Sequence, residues 1–381
     1  MSLTLFTQYK EPSLYGRYLT LSHLSPLLDR LADKAKVETV GHSVENEPII
    51  TCTVGNGSVR LLFWSQMHGN ESTTTKAVFD LLNWLVSDEA SAVEVRSRYT
   101  CCFVPLLNPD GARRYTRENA NGIDLNRDMQ AQTQPESALL RRLYDEFRPD
   151  WCFNLHDQRT IFGAGDTGKP ATVSFLAPSV DEARSVNECR LQAMAVINGM
   201  TDALQDIIPG QIGRFDDGFN LNCAGDTFQY LGTPTILVEA GHFPGDYQRE
   251  ETRKCIFLAL LSSFQIIYEI DIVEGVLKKY VDIPQNKTVF FDFVYRNVAI
   301  NYDNSEIIAT FAAQFTEVLI EDKIVFEAFI AKIDNLEGCY GHVEFDAEGE
   351  RLITPDGQPI AVGQKADFKI GIHDFVNGKT G

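Results

Sequence analysis

Three residues could make a metal centre. His68-Gly69-Asn70-Glu71 follows the apolar run Leu61-Leu62-Phe63-Trp64, and His156 ends the run Trp151-Cys152-Phe153-Asn154-Leu155. Catalytic zinc typically takes three nitrogen or oxygen ligands from protein and leaves one tetrahedral position for water. A His-x-x-Glu turn with a distant His supplies that set, so the two segments read as a site for one Zn2+ per chain, held by His68, Glu71 and His156.

Such a site needs strands that end together. Apolar, strand-like segments occur at 37–40, 49–54 and 59–64, and Glu71 opens a helix-like stretch running to Val86. His68 and Glu71 thus lie where a strand ends and a helix begins. A buried strand at 99–106, a polar loop from 107 to about 134, a helix at 136–147 and a strand at 151–155 follow. Helices near 19–34, 181–204 and 248–270 and a strand at 235–238 complete an alternating pattern. This predicts an α/β fold, a mixed β-sheet flanked by helices, whose strand ends gather the chemistry. Beyond Lys278-Lys279 the texture changes to short strands broken by turns, at 288–295, 307–315, 323–333, 341–345, 358–362 and 366–370. The expected organisation is a catalytic domain over 1–274 and a small all-β domain over 281–381.

Composition narrows the partners. A formal charge of -19 disfavours a broad nucleic-acid surface or an anionic membrane surface. No apolar run reaches membrane-spanning length, and the first residues lack a basic start followed by an apolar core. The eight cysteines sit mostly inside apolar stretches, as in Thr100-Cys101-Cys102-Phe103-Val104, and read as reduced buried thiols. The expectation is a soluble, cytoplasmic protein acting on a peptide or a small amino-acid-derived substrate. The sequence leaves its oligomeric state open.

Between the strand at 99–106 and the next helix lie Asn108-Pro109-Asp110-Gly111 and Arg117-Glu118-Asn119-Ala120-Asn121-Gly122-Ile123-Asp124-Leu125-Asn126-Arg127. With the residues above and Ile236-Leu237-Val238-Glu239-Ala240-Gly241, the chain resembles the zinc metallocarboxypeptidases. That family carries His-x-x-Glu, Asn-Pro-Asp-Gly, a lone Arg, Asn-Arg, a third His and a late Glu in this order. The resemblance implies a carboxypeptidase A-like fold and hydrolysis of a C-terminal peptide bond by metal-activated water. It assigns zinc binding to His68, Glu71 and His156, general base and acid to Glu239, and oxyanion stabilisation to Arg117. The substrate's free carboxylate falls to Asn126 and Arg127, since a planar guanidinium meets a carboxylate through two parallel hydrogen bonds that Lys cannot reproduce. Asp124 matches a carboxylate that orients His68.

Members select the terminal side chain shortly before the catalytic Glu. There Asn222-Cys223-Ala224-Gly225-Asp226 offers Asp226 as a partner for a basic terminus, or as the cap of a turn. The sequence also departs from the family. Phe219 stands about where a substrate-capping Tyr is usual, with Tyr230 nearer Glu239; Asp128 stands where Asn is common; and His156 is followed by Asp157-Gln158-Arg159. His-Gly-Asn-Glu and Asp-Leu-Asn-Arg are shared with the aspartoacylase and succinylglutamate desuccinylase branch, which also carries a C-terminal β domain and cleaves N-acyl amino acids. That activity is the alternative, and a non-catalytic zinc-binding interaction module is a third.

Overall fold

The computed structural model describes residues 3–270, 274–302 and 305–380. The chain forms two compact units, one of residues 1–158 and 171–286, the other of 159–170 and 287–381. The second unit therefore includes Arg159–Pro170, a stretch that a linear division into 1–274 and 281–381 leaves with the first.

The first unit is built on β1 (Lys36–His42), β2 (Pro48–Val54), β3 (Val59–Ser65), β4 (Tyr99–Val104) and β5 (Trp151–Asp157). After β6 (Phe162–Ala164), in the second unit, follow β7 (Val173–Leu176), β8 (Ile212–Arg214) and β9 (Thr235–Ala240). They make an eight-stranded sheet in the order β1-β2-β4-β3-β5-β9-β7-β8. Its centre, β4-β3-β5-β9, is parallel, and β1, β2 and β7 add antiparallel pairings, so the sheet is mixed as the sequence pattern implies.

Both faces of the sheet are covered. The helices are α1 (Leu3–Tyr9), α2 (Leu21–Leu31), α3 (Thr73–Leu85), α4 (Ala90–Arg98), α5 (Pro109–Arg114), α6 (Pro135–Phe147), α7 (Glu188–Gln205), α8 (Ala224–Tyr230), α9 (Glu250–Tyr268) and α10 (Val276–Val281). Successive residues of β3 go to opposite sides. Leu61 and Phe63 join a core with residues of α3, α7 and α9, whereas Leu62 and Trp64 join one with Leu139 and Leu140 of α6 and Phe228 of α8. This two-sided burial is why the central strands read as continuous apolar runs. Phe63 stacks between Phe103 and Phe153 at centroid distances of 4.5 and 4.6 Å, fixing the neighbouring parallel strands.

Several boundaries differ from the sequence pattern. The helix expected from 181 begins at Glu188, where Asn187 caps it by accepting from Arg190 N. The loop after β4 contains α5, opened by Pro109 and capped by Asn108, and a 3-10 turn at Leu125–Arg127.

The second unit holds, after β10 (Asn286–Thr288), the strands β11 (Phe290–Tyr302), β12 (Ser305–Ile320), β13 (Lys323–Ile333) and β14 (Tyr340–Asp346), in the sheet order β13-β12-β11-β14. A second small sheet follows from Leu352 onward. In the core of this unit Tyr295 meets Phe368 and Phe375 edge to face, and Phe311 meets Phe368 likewise. The segment 358–362 is irregular rather than a strand, yet Ile360 is buried in that core. Its apolar pattern reports burial, not pairing.

Candidate metal centre

The carboxyl ends of β3, β5 and β9 lie side by side, with Ser65 paired to Leu155 and His156 to Glu239 in parallel register. His156 and Glu239 therefore leave the sheet as neighbours. The turn after β3 carries His68 and Glu71, and its shape depends on glycine. A Cβ at Gly69 would lie 2.0 Å from the carbonyl carbon of Gly111, so the His-Gly-Asn-Glu turn sits directly on the Asn-Pro-Asp-Gly turn. Asn108 locks the pair: its Nδ2 donates to Met67 O and its Oδ1 accepts from Gly111 N.

His68 and His156 are each 2% exposed and Glu71 9%. His68 Nδ1 lies 2.8 Å from Glu71 Oε1 and 3.1 Å from His156 Nδ1, which is itself 2.8 Å from Glu71 Oε2. His68 Nε2 is 3.0 Å from Asp124 Oδ1; donating there leaves Nδ1 as the bare nitrogen facing the other two groups. Acceptors thus crowd one point with too few protons between them, an arrangement a cation relieves. Ligands about 2.0–2.1 Å from a common tetrahedral centre sit roughly 3.3 Å apart, so separations of this size suit a single metal ion. The cluster fits one zinc.

The electrostatics agree. Burial pushes the Glu71 carboxyl up, but His68 and His156 outweigh it and hold Glu71 well below the carboxylate range. Asp124 is likewise depressed against its partial burial, by its hydrogen bond to His68 and by the charges around it. Glu239 moves the other way. Burial raises its carboxyl well above the ordinary range and the nearby Glu71 and Asp157 add to the rise, while its Oε2 makes no hydrogen bond.

Arg117, half exposed, donates through Nε to Asp124 Oδ2 at 3.1 Å, and its NH1 lies 3.2 Å from Glu71 Oε1 and 3.1 Å from His68 Nδ1. Its positive charge rests against the donor set. Asn126 and Arg127 lie on the 3-10 turn that follows Asp124. Asn126 Oδ1 accepts from Ala224 N at 2.9 Å, and Arg127 NH1 lies 3.2 Å from Cys223 Sγ, so this turn abuts the start of α8. Asp226 is on α8, 8% exposed, and accepts from Asn220 N at 3.1 Å, closing the loop before the helix. Burial raises its carboxyl to about 6. Phe219 and the exposed Tyr230 have their rings 6.5 Å apart.

The structure also brings in two residues to which the sequence pattern assigned no role. Asp157 is buried and accepts from the backbone N–H of Thr73 and Thr74 at the start of α3. Arg249, 1% exposed, donates to Gln158 O and Ala240 O, joining the ends of β5 and β9. Neither signal is local: the Asp157 contacts span more than 80 residues and those of Arg249 reach another strand.

With this geometry in view, the family model described as zinc carboxypeptidase matches residues 21–149, which include His68, Glu71, Arg117, Asn126 and Arg127. Over residues 21–149 the chain is similar to the zinc carboxypeptidases. A metallo-carboxypeptidase from Burkholderia cenocepacia shares the fold at 20% identity and TM-score 0.53, over 66% of this chain and 70% of that one. Another from Pseudomonas aeruginosa does so at 17% identity and TM-score 0.53, over 66% and 69%. A curated relative, gamma-D-glutamyl-L-diamino acid endopeptidase 1 of Lysinibacillus sphaericus, is 31% identical over 80 residues, 19% of this chain. The match spans about one fifth, 20%, of that relative's length. The similarity to a zinc carboxypeptidase domain accords with a His-Glu-His cluster that suits a single metal ion.

Proposed function

We propose that the first unit is a zinc-dependent carboxypeptidase that removes the C-terminal residue of peptides. The observation that carries this reading is the adjacency of Glu239 to His156 in β-sheet register, beside a His-Glu-His donor set. Zinc bound by His68, Glu71 and His156 would supply a water of lowered pKa, about 7, and polarise the scissile carbonyl. Glu239 takes a proton from the attacking water and returns it to the leaving amine; its enclosed carboxyl suits both roles, because its proton affinity is raised. Arg117 presents fixed positive charge to the oxyanion, with Asp124 holding its Nε. One such donor is worth about 2.7–4 kcal/mol in a poorly solvated site. Asn126 and Arg127 hold the substrate's terminal carboxylate, and the exposure of Arg127 leaves its guanidinium open to that partner.

Asp226 is the proposed determinant for a basic or diamino terminus. Its raised carboxyl is short of compensating charge, which a substrate cation would supply, and the matched relative's name carries a diamino acid. The eight unpaired cysteines suit a reducing, cytoplasmic setting. No described helix is long and apolar enough to cross a membrane.

A second reading is deacylation of N-acyl amino acids, favoured by the additional all-β unit. The deciding experiment is metal analysis with a panel of peptides and N-acyl amino acids. Release of terminal residues from peptides supports the proposal, turnover of N-acyl amino acids alone selects the second reading, and zinc without turnover points to a binding module.

A further inference from the structure

We propose that Asp157 is a positioning residue for the metal centre, clamping the helix that follows Glu71 to the strand that carries His156. This rests on the reading of His68, Glu71 and His156 as zinc ligands and adds a role for the residue next to one of them. The helix concerned, α3, begins at Thr73, two residues after Glu71, and it does not cap itself. Ser72 at its N-cap position has helical backbone angles and makes no side-chain cap, because its hydroxyl donates to Arg17 O at 2.6 Å. The first turn of α3 contains no acidic residue. Its leading N–H groups are buried and need acceptors.

Asp157 supplies them from across the sheet. Its Oδ2 accepts from Thr73 N at 2.9 Å and its Oδ1 from Thr74 N at 3.3 Å, so both oxygens are used. Its own backbone N–H donates to Glu71 Oε2 at 3.1 Å, the oxygen that also lies 2.8 Å from His156 Nδ1. A closed ring results: Glu71 leads into α3, α3 is held by the Asp157 carboxylate, and Asp157 holds Glu71 through its amide. Two of the three metal donors are thereby fixed to each other by a residue that is not a donor. A carboxylate also suits the positive end of a helix of 13 residues.

The test is zinc affinity of the metal-free full chain, read by competition with a chromophoric chelator, alongside thermal unfolding. Asp157→Ala should weaken zinc binding by about 10–100-fold, the range for groups that orient ligands. Asp157→Asn keeps one accepting oxygen and gives up the other, so it should fall between parent and alanine variant. His156→Ala serves as the control for the underlying reading and should lose stoichiometric zinc. If it does, and Asp157→Ala melts earlier but binds zinc as tightly as the parent, the residue is a helix cap only and the proposal is overturned. If His156→Ala keeps its zinc, the ligand reading itself fails. Should the alanine variant not fold, Asp157→Asn decides: several-fold weaker zinc supports the role, and parental affinity overturns it.

Discussion

Glu239→Gln separates chemistry from structure more cleanly than any other change in this site. Glutamine keeps the shape of the side chain and cannot carry the proton. Oε2 of Glu239 makes no hydrogen bond, so the substitution breaks none there, and a neutral amide suits the burial and the neighbouring Glu71 and Asp157 that raise the Glu239 carboxyl. Folding should therefore be unharmed, and the His68, Glu71 and His156 donors are untouched. What disappears is proton transfer, worth about 10²–10⁴ in rate or roughly 2.7–5.5 kcal/mol of barrier. The assay is steady-state release of a terminal amino acid from peptides, with zinc content measured on the same samples by elemental analysis. Turnover at least 100-fold lower, with one zinc per chain retained, is the expected result. Activity within a few-fold of the parent would refute the assignment of the base, and loss of zinc would make Glu239 part of the metal-binding set.

His156→Ala should abolish stoichiometric zinc and activity together, as measured by equilibrium dialysis and peptide hydrolysis; zinc held at parental affinity contradicts the ligand set. Amidating the substrate C-terminus, or Arg127→Lys, should raise KM and lower kcat/KM strongly, because either change removes the paired contact with the terminal carboxylate; equal hydrolysis of free and amidated peptides would point to an endopeptidase. With Asp226 as a specificity group, terminal Lys or Arg should leave faster than Leu or Phe, and Asp226→Asn should narrow the gap; a preference for apolar termini in the parent rules this out. The same variant has a pH signature. The folded carboxyl titrates near 6, whereas an unfolded Asp titrates near ~3.9. The native state thus keeps a proton that the unfolded chain has lost, and Asp226 lowers stability as pH rises from about 4 to about 6, with no further change above. Chemical denaturation across this window should show Asp226→Asn gaining on the parent by on the order of 3 kcal/mol, and parallel pH curves would count against the raised carboxyl.

The strands that deliver the site were legible because their signal is local. β3, β5 and β9 are short apolar runs ended by polar residues, and their buried faces leave little choice of side chain. The His-x-x-Glu turn was legible for a related reason: Gly69 and Gly111 are demanded by a close backbone approach, and that demand is written into the motif. Elements with weak periodicity were not. In α4 Ala92 is the one buried residue, with the exposed Val93 and two arginines diluting any apolar stripe. α8 has seven residues, about two turns, too few to display a period. The stretch 358–362 shows the converse error, where an apolar residue filling a core resembled a strand.

What the sequence concealed is the polar framework that holds the donors still. Asp124 could be aligned with His68 only through a family pattern, yet it also receives Arg117 Nε and Asn126 N, so one carboxylate orients a histidine, a cation and a turn. Asn119, part of the same motif, is 4% exposed; its Oδ1 accepts from Asn121 N and Ile123 N while its Nδ2 donates to Gln134 and Glu136, tying the loop between Arg117 and Asp124 to the start of α6. Asp157 caps a helix 84 residues earlier in the chain. The partners that tie these residues to other elements, His68 for Asp124, Gln134 and Glu136 for Asn119 and Thr73 for Asp157, are distant in sequence, and a buried Asp or Asn reads like any loop residue until its donors are known. Replacing Asn119 by Asp would set a carboxylate 3.1 Å from Glu136 Oε2, so the cost of that change would come from a partner 17 positions away. Ligand identity is therefore carried by residue type and spacing, whereas ligand geometry is carried by buried hydrogen bonds that only the folded chain brings together.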